Sequence, residues 1–388
     1  MKVSDFGLTA IVIALAGTMA GCASALFLAL LEGVTTFRES HSTIVYLLPL
    51  GGFALGLIYD RFGKEIAGGS ELVVLRRTEG GPAIPFRLAP MVLAGTLLTH
   101  LFGGSAGREG TGVQMGACLA DTAFHRLRID PSHRQHVLAA GVAAGFGSVF
   151  GTPIAGAIFA IEVVRGSVRE LRLLPASLVA AAIGDRVTTA LGVHHASYPQ
   201  ITVATLTFSL VGKLVLIGTA LGLTALVFIE GIRRIKQFGK LTIKTLPFRL
   251  AIGGAFIVIA WRIVGSSEYL GIGTTVIGRS FTAPQGPSVF AWKIAFTAIT
   301  LGSGFIGGEV TPLFFIGAAM GSALAHLLGI PIEVGAGVGL VALFGAAAKS
   351  PVAMTVMAVE LMGPAIFPYA LFVTAVATLM SARRSLYR

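Results

Sequence analysis

Charge is scarce in this chain. Asp, Glu, Lys and Arg together make up 12% of its 388 residues, about half the ~25% of a soluble protein. So few charged groups cannot cover a water-facing surface, and a disordered chain would need still more. Cysteine is scarcer: Cys22 and Cys118 both sit inside apolar stretches, with no CxxC spacing. That excludes a disulfide framework. No HExxH, P-loop or EF-hand pattern occurs, so neither a metal nor a nucleotide nor any other cofactor is expected. Net charge is +11, from 29 Lys and Arg against 18 Asp and Glu. No basic stripe interleaves with aromatics, so nucleic acid is not an expected partner. Basic runs such as Arg233-Arg234-Ile235-Lys236 and Arg383-Arg384 read as breaks between apolar segments, lying against anionic lipid on the cytoplasmic side.

What the chain has in excess is apolar residues, 54%, with a mean hydropathy of +0.84. One core cannot hide that much, so the solvent is a lipid bilayer. The other excess is glycine, 51 of 388, roughly 13% against a usual ~7%. Near the start, Met19-Ala20-Gly21-Cys22 looks like a lipoprotein cleavage site. The apolar run continues past it to Leu31, too long for a ~7–15-residue signal core, and reads as a retained membrane helix. Several apolar segments, such as 109–121 and 335–348, are too short to cross a ~30 Å hydrocarbon core at 1.5 Å per residue. Many are bounded by Gly or Pro. Helices that stop inside a membrane are tolerated only where their freed backbone groups line an enclosed cavity.

The chain also repeats. Residues 146–162 and 344–360 share Phe, Gly, Pro, two Ala and a final Glu at an offset of 198 (344 minus 146). Met115-Gly116 through Leu119-Ala120 recurs as Met320-Gly321 through Leu324-Ala325, an offset of 205 (320 minus 115). The expected organisation is one transmembrane domain of two repeats, 1–198 and 199–388, joined near His194-His195-Ala196-Ser197-Tyr198-Pro199. An even number of crossings per repeat gives parallel halves and an odd number inverted ones, and the segment pattern alone does not choose. In transporters built this way the substrate site lies at the repeat interface.

Two glycine-rich loops carry the chemistry. The first is Gly103-Gly104-Ser105-Ala106-Gly107-Arg108-Glu109-Gly110-Thr111, opening onto an apolar run. Such a loop exposes N–H groups at the positive end of a helix, which is an anion site. Glu109 stands at that same end. As a plain helix-start carboxylate it would contribute ~0.3–1 kcal/mol, but at membrane depth a carboxylate is functional by default. Charged, it competes with an anion; protonated, it vacates the site, so one side chain can gate an anion and carry a proton. The second loop, Gly302-Ser303-Gly304-Phe305-Ile306-Gly307-Gly308-Glu309-Val310-Thr311-Pro312, places Glu309 200 residues later (309 minus 109). Thr311 adds a hydroxyl that can serve the anion or Glu309. A third loop, Gly68-Gly69-Ser70-Glu71-Leu72, precedes an amphipathic stretch, and Tyr387 reads by itself as an interface anchor. Gly103 to Gly107 also fits G-x-S-x-G, which with His100 would make a membrane hydrolase around Ser105. That motif needs a strand–turn–helix setting that a membrane helix does not supply.

At these residues the sequence resembles the CLC family of chloride channels and anion/proton antiporters. Gly-Arg-Glu-Gly at 107–110 is similar to its gating-glutamate motif, and 145–162 and Lys349-Ser350-Pro351 to Glu360 to helices flanking its pore. The resemblance implies an all-α polytopic membrane protein with inverted repeats and tilted, broken helices. It implies a homodimer with a pore in each subunit, without the cytoplasmic regulatory domains of larger members; short loops and no eukaryotic targeting signal make a bacterial inner membrane the expected location. Gly-Arg-Glu-Gly-Thr together with Gly-Glu-Val-Thr-Pro at 308–312 resembles the branch that exchanges fluoride for protons. By that resemblance Glu109 is the gating glutamate. Glu309, Val310, Thr311 and Tyr387 lie on the anion path with Gly107, Arg108 and Gly110. The first-loop pore residue, serine in chloride members and Met or Asn in the fluoride branch, falls on Gly69 or Ser70. The internal proton-transfer glutamate of chloride antiporters falls on Val163. A chloride-selective channel or chloride/proton exchanger is the alternative.

Overall fold

The computed structural model describes residues 3–164, 168–202, 207–382 and 384–387; Arg383 of the terminal basic pair lies outside them. Among the described residues there are sixteen α-helices and no strands, only one isolated bridge. The first eight are α1 (Val3–Ser40), α2 (Leu48–Phe62), α3 (Ser70–Glu79), α4 (Leu88–Leu101), α5 (Glu109–Arg126), α6 (Arg134–Phe150), α7 (Pro153–Glu162) and α8 (Leu174–Ala190). The next eight repeat them in order: α9 (Phe208–Thr242), α10 (Leu246–Val264), α11 (Thr274–Ser280), α12 (Pro287–Ser303), α13 (Val310–Leu328), α14 (Ile332–Ala348), α15 (Pro351–Met362) and α16 (Phe367–Met380). Met19 to Cys22 lies well inside the unbroken α1. The basic run 233–236, expected in a break, lies inside α9, where Glu230 accepts from the Nε atoms of Arg233 and Arg234 at 3.0 and 2.9 Å. A helix long enough to outrun the apolar layer carries its charges without interruption.

The two halves are inverted. A Cβ on Gly52 would come within 3.0 Å of the Leu250 carbonyl oxygen, and one on Gly254 within 3.0 Å of that of Leu48. Advancing along α2 therefore means retreating along α10, so this equivalent pair is antiparallel. A two-fold that relates antiparallel helices runs perpendicular to them. Both Ser42–Phe62 and Leu246–Val264 are long and apolar enough to cross a membrane, which lays the axis in the membrane plane. Eight helices per half is an even number, yet the repeats are inverted. Parity of helices is not parity of crossings: α3, at 10 residues, and α11, at 7, reach roughly 15 and 10 Å at 1.5 Å per residue and stop partway.

Packing explains much of the glycine. Lipid gives apolar helices no hydrophobic reason to associate, so close backbone approach must do it. In α5 and α6, Gly112 meets Gly145 and Gly116 meets Gly141; in α13 and α14, Gly317 meets Gly339 and Gly321 meets Gly335. At each of these contacts a Cβ would press on the facing backbone. The crossing lies one helical turn further along α13 than along α5, which is why the loops and the helices repeat at different offsets. Breaks in helices thus account for only part of the excess.

The repeated Glu at 162 and 360 has a structural task. Glu162, at the end of α7, accepts from the N–H groups of Val352 and Ala353 at 3.0 and 2.7 Å. Glu360, in the last turn of α15, accepts from Ile154 and Ala155 at 2.9 and 2.8 Å. Each repeat caps the other's helix N-terminus, where backbone donors have no helical partner.

Two outcomes are expected. Glu162→Ala orphans two N–H groups, each worth about 1–3 kcal/mol, and lowers the thermal midpoint of the detergent-solubilised protein; an unchanged midpoint contradicts the cap. Gly321→Val abolishes assembly, read as loss of the monodisperse peak in size-exclusion chromatography. The same change at Gly212, where a Cβ meets nothing within 4 Å, leaves that peak intact.

Candidate functional site

The site grows from two matched helix ends. Helix α4 closes at Gly103, φ +90°, with Gly104 N–H on the Thr99 carbonyl at 2.7 Å; α12 closes at Gly304, φ +108°, with Phe305 N–H on the Thr300 carbonyl at 3.2 Å. Only glycine takes such backbone angles without strain. Four residues further on, the two segments meet at Gly107 and Gly308. There Gly107 N–H donates to Gly308 O at 2.6 Å and Gly308 N–H returns to Gly107 O at 2.8 Å. This bridge lies at the junction of the repeats and sets the starts of α5 and α13 side by side.

The bridge also sets the register between the repeats. Gly107 is equivalent to Gly308, an offset of 201 (308 minus 107), not 200. Glu109, the first residue of α5, corresponds to Val310, and Glu309 corresponds to Arg108 in the position before the helix. The two carboxylates are therefore not symmetry mates. Glu109 is fully buried, while Glu309 is half-buried and does not line the central cavity. Among the described residues, Lys236, Glu71 and Glu109 bear electrostatically on Glu309.

Glu109 reaches across the bridge. Thr311 Oγ1 lies 2.5 Å from Oε1 and 2.6 Å from Oε2, and the Thr311 N–H donates to Oε2 at 3.2 Å. The Arg108 N–H donates to Oε2 at 3.1 Å, and the Arg108 Nε stands 3.4 Å from Oε1. A buried carboxylate is very costly unless hydrogen-bonded. Here donors from both repeats, and the positive ends of two helices, supply the compensation.

Beside the carboxylate is a cavity lined by Ser70, Glu109, Gly110, Val310, Tyr387 and Arg77 among others. Ser70 opens α3, and its Oγ accepts from Gln114 Nε2 at 3.0 Å. Gly69 precedes it at φ +50°, and a Cβ there would face Gln114. Of the two alternatives in that loop, Ser70 lines the cavity and Gly69 does not. Tyr387 is buried, its ring edge-on to Phe159 at 6.5 Å, and the Leu386 N–H on the Ala347 carbonyl at 3.0 Å holds the terminal segment in place. Val163 also lines the cavity.

Sequence reasoning passed over Arg77 and the walls at Val73, Val74, Phe146 and Phe159. The spacing 70, 73, 74, 77 puts four of the lining residues on one face of α3, a signal present in the sequence. Ser105 and His100 are not brought together. Ser105 Oγ pairs with Thr297 Oγ1 at 2.9 Å. The His100 ring nitrogens lie on the Thr96 and Ala106 carbonyl oxygens at 2.8 and 3.0 Å. His100 braces the loop and leaves Ser105 without a base.

Comparison with known proteins agrees with this architecture. A chloride/fluoride channel protein of Pseudomonas syringae pv. tomato is 43% identical over 385 residues, covering 97% of this chain and 85% of that one. The crystal structure of a CLC-type fluoride/proton antiporter superposes with a TM-score of 0.96 at 33% identity, covering 100% of this chain and 98% of the other. A slow cyanobacterial Cl⁻/H⁺ antiporter has the same fold, with a TM-score of 0.85 at 19% identity over 96% of this chain and 94% of its own. The model of the voltage gated chloride channel family matches residues 51–382, and the chain belongs to that family as a multi-pass membrane protein of the CLC fold.

Proposed function

We propose that the protein is a fluoride/proton antiporter that expels fluoride from the cytoplasm. The observation that carries this is the Glu109 carboxylate seated among donors from both repeats. Those donors bind an anion as readily as a carboxylate. When Glu109 takes a proton it loses its claim on the N–H groups, while its new O–H can still donate to the Thr311 oxygen. An anion then takes the N–H donors, and the proton travels with the side chain. Inward protons thus drive outward fluoride.

Selectivity follows from size and hydration. Fluoride sheds water only for strong donors, and the site offers Thr311, the N–H groups of Arg108, Gly110 and Val310, and the cavity-lining Ser70 and Tyr387, while the Gly107 N–H is taken by the bridge. The likeness to the CLC-type fluoride/proton antiporter supports the same reading. We assign Glu309, half-buried and outside the cavity lining, to the proton route, where Val163 offers no carboxylate. One observation favours chloride instead: Ser70, not Gly69, lines the cavity, and a serine in this loop is what the resemblance implies for chloride members. The reading includes a homodimer in a bacterial inner membrane, with repeats spanning 1–198 and 199–388.

In proteoliposomes loaded with fluoride, the protein is expected to release fluoride much faster than chloride and to take up protons as it does so. Equal rates for the two anions favour the chloride reading. Glu109→Gln is expected to abolish fluoride-driven proton uptake, measured with a pH-sensitive dye; undiminished uptake removes Glu109 from the coupling. Thr311→Val, which deletes one hydroxyl at constant shape, should slow fluoride efflux roughly tenfold, the scale of one charge-assisted hydrogen bond, and Thr311→Ser should restore it.

A further inference from the structure

Resting on that reading, we propose that the Arg77 guanidinium is a second anion-binding station on the same route, held alternately by Glu170 and by the transported anion. Arg77 is 3% exposed and lines the cavity that also contains Glu109 and Ser70. Its Nη2 donates to Glu170 Oε2 at 2.8 Å. Its Nε and Nη1 are buried and have no hydrogen-bond partner among the described residues. Guanidinium carries five N–H donors, and the three on Nε and Nη1 are committed to nothing among the described residues. A buried, half-satisfied cation is a cost the fold has no packing reason to bear. A small inorganic anion in the cavity would satisfy those donors and balance the charge.

The placement makes it a station separate from the Glu109 socket. Arg77 follows Ser70 by seven residues on the same face of α3, roughly 10 Å along the helix at 1.5 Å per residue. The walls between them are apolar, Val73 and Val74 of the same face. An anion leaving one set of donors therefore has a second within two helical turns. The two stations share a design. In each, a carboxylate from another part of the chain occupies the donors when the anion does not: Glu109 on Thr311, and Glu170 on Arg77. Glu170 is the more accessible of its pair, with 26% of its side chain exposed against 2% for Arg77, so it can withdraw into solvent while Arg77 stays.

The test exploits an opposition of sign. Fluoride efflux from proteoliposomes is measured against fluoride concentration for wild type, Arg77→Gln, Arg77→Lys and Glu170→Gln. The proposal expects Arg77→Gln to raise the KM for fluoride about tenfold or more. It expects Arg77→Lys to raise it less, and Glu170→Gln, which removes the competitor and leaves the cation, to lower it. A purely structural ion pair would make Arg77→Gln and Glu170→Gln shift KM in the same direction or not at all, and either result overturns the proposal. Should Arg77→Gln not yield folded protein, Glu170→Gln decides, since a raised or unchanged KM there is incompatible with competition. Wild-type protein that moves no fluoride removes the transport reading and this station with it. Wild-type efflux with KM unmoved in the variants removes Arg77 alone.

Discussion

Two backbone hydrogen bonds between Gly107 and Gly308 hold the starts of two helices together, and the site depends on them. A helix N-terminus presents orphan N–H groups and a partial positive charge. One such terminus inside a membrane is a liability; two of them, aimed at a common point, are a place to put negative charge. Glycine is required at the bridge because its partners leave no space: a Cβ on Gly308 would stand 2.8 Å from the Gly110 nitrogen. Both helices reach this point because the repeats are inverted about an axis in the membrane plane. A parallel repeat would send the second terminus to the wrong depth.

The same two-fold logic recurs away from the site. Glu162 and Glu360 exchange caps across it, so the pair of helix starts at Ile154 and Val352 is closed by the protein's own carboxylates. These termini therefore have no donors to spare for an anion. The contrast assigns the two kinds of helix start different tasks. Where the capping carboxylate is fixed by two N–H groups in line, the junction is structural. Where it reaches across to a hydroxyl that can accept as well as donate, as Glu109 does to Thr311, the junction can open.

Much of the membrane class, the duplication and the importance of Glu109 is legible in the sequence, because they rest on composition, on identity at a fixed offset, and on a charge placed where charge is rare. Inversion is legible only through the family resemblance, since short helices such as α3 and α11 break the link between counting segments and counting crossings. Two Glu residues 200 apart look equivalent in the sequence, but the backbone bridge pairs positions 201 apart and makes Val310 the counterpart of Glu109. The choice of Ser70 over Gly69 depends on where a helix begins, a matter of a single residue at a positive φ. Arg77 was visible as the end of a 70, 73, 74, 77 face, but nothing in the sequence says which face of α3 looks inward.

In the proposed mechanism fluoride and the Glu109 carboxylate share one set of donors, so that binding the ion protonates the side chain. Fluoride-induced infrared difference spectroscopy on the reconstituted protein reads this directly. The account predicts that adding fluoride produces a protonated-carboxyl C=O band, with loss of carboxylate absorption, and that this band is missing in Glu109→Gln. Fluoride binding without any such band, or a band that persists in Glu109→Gln, would contradict it.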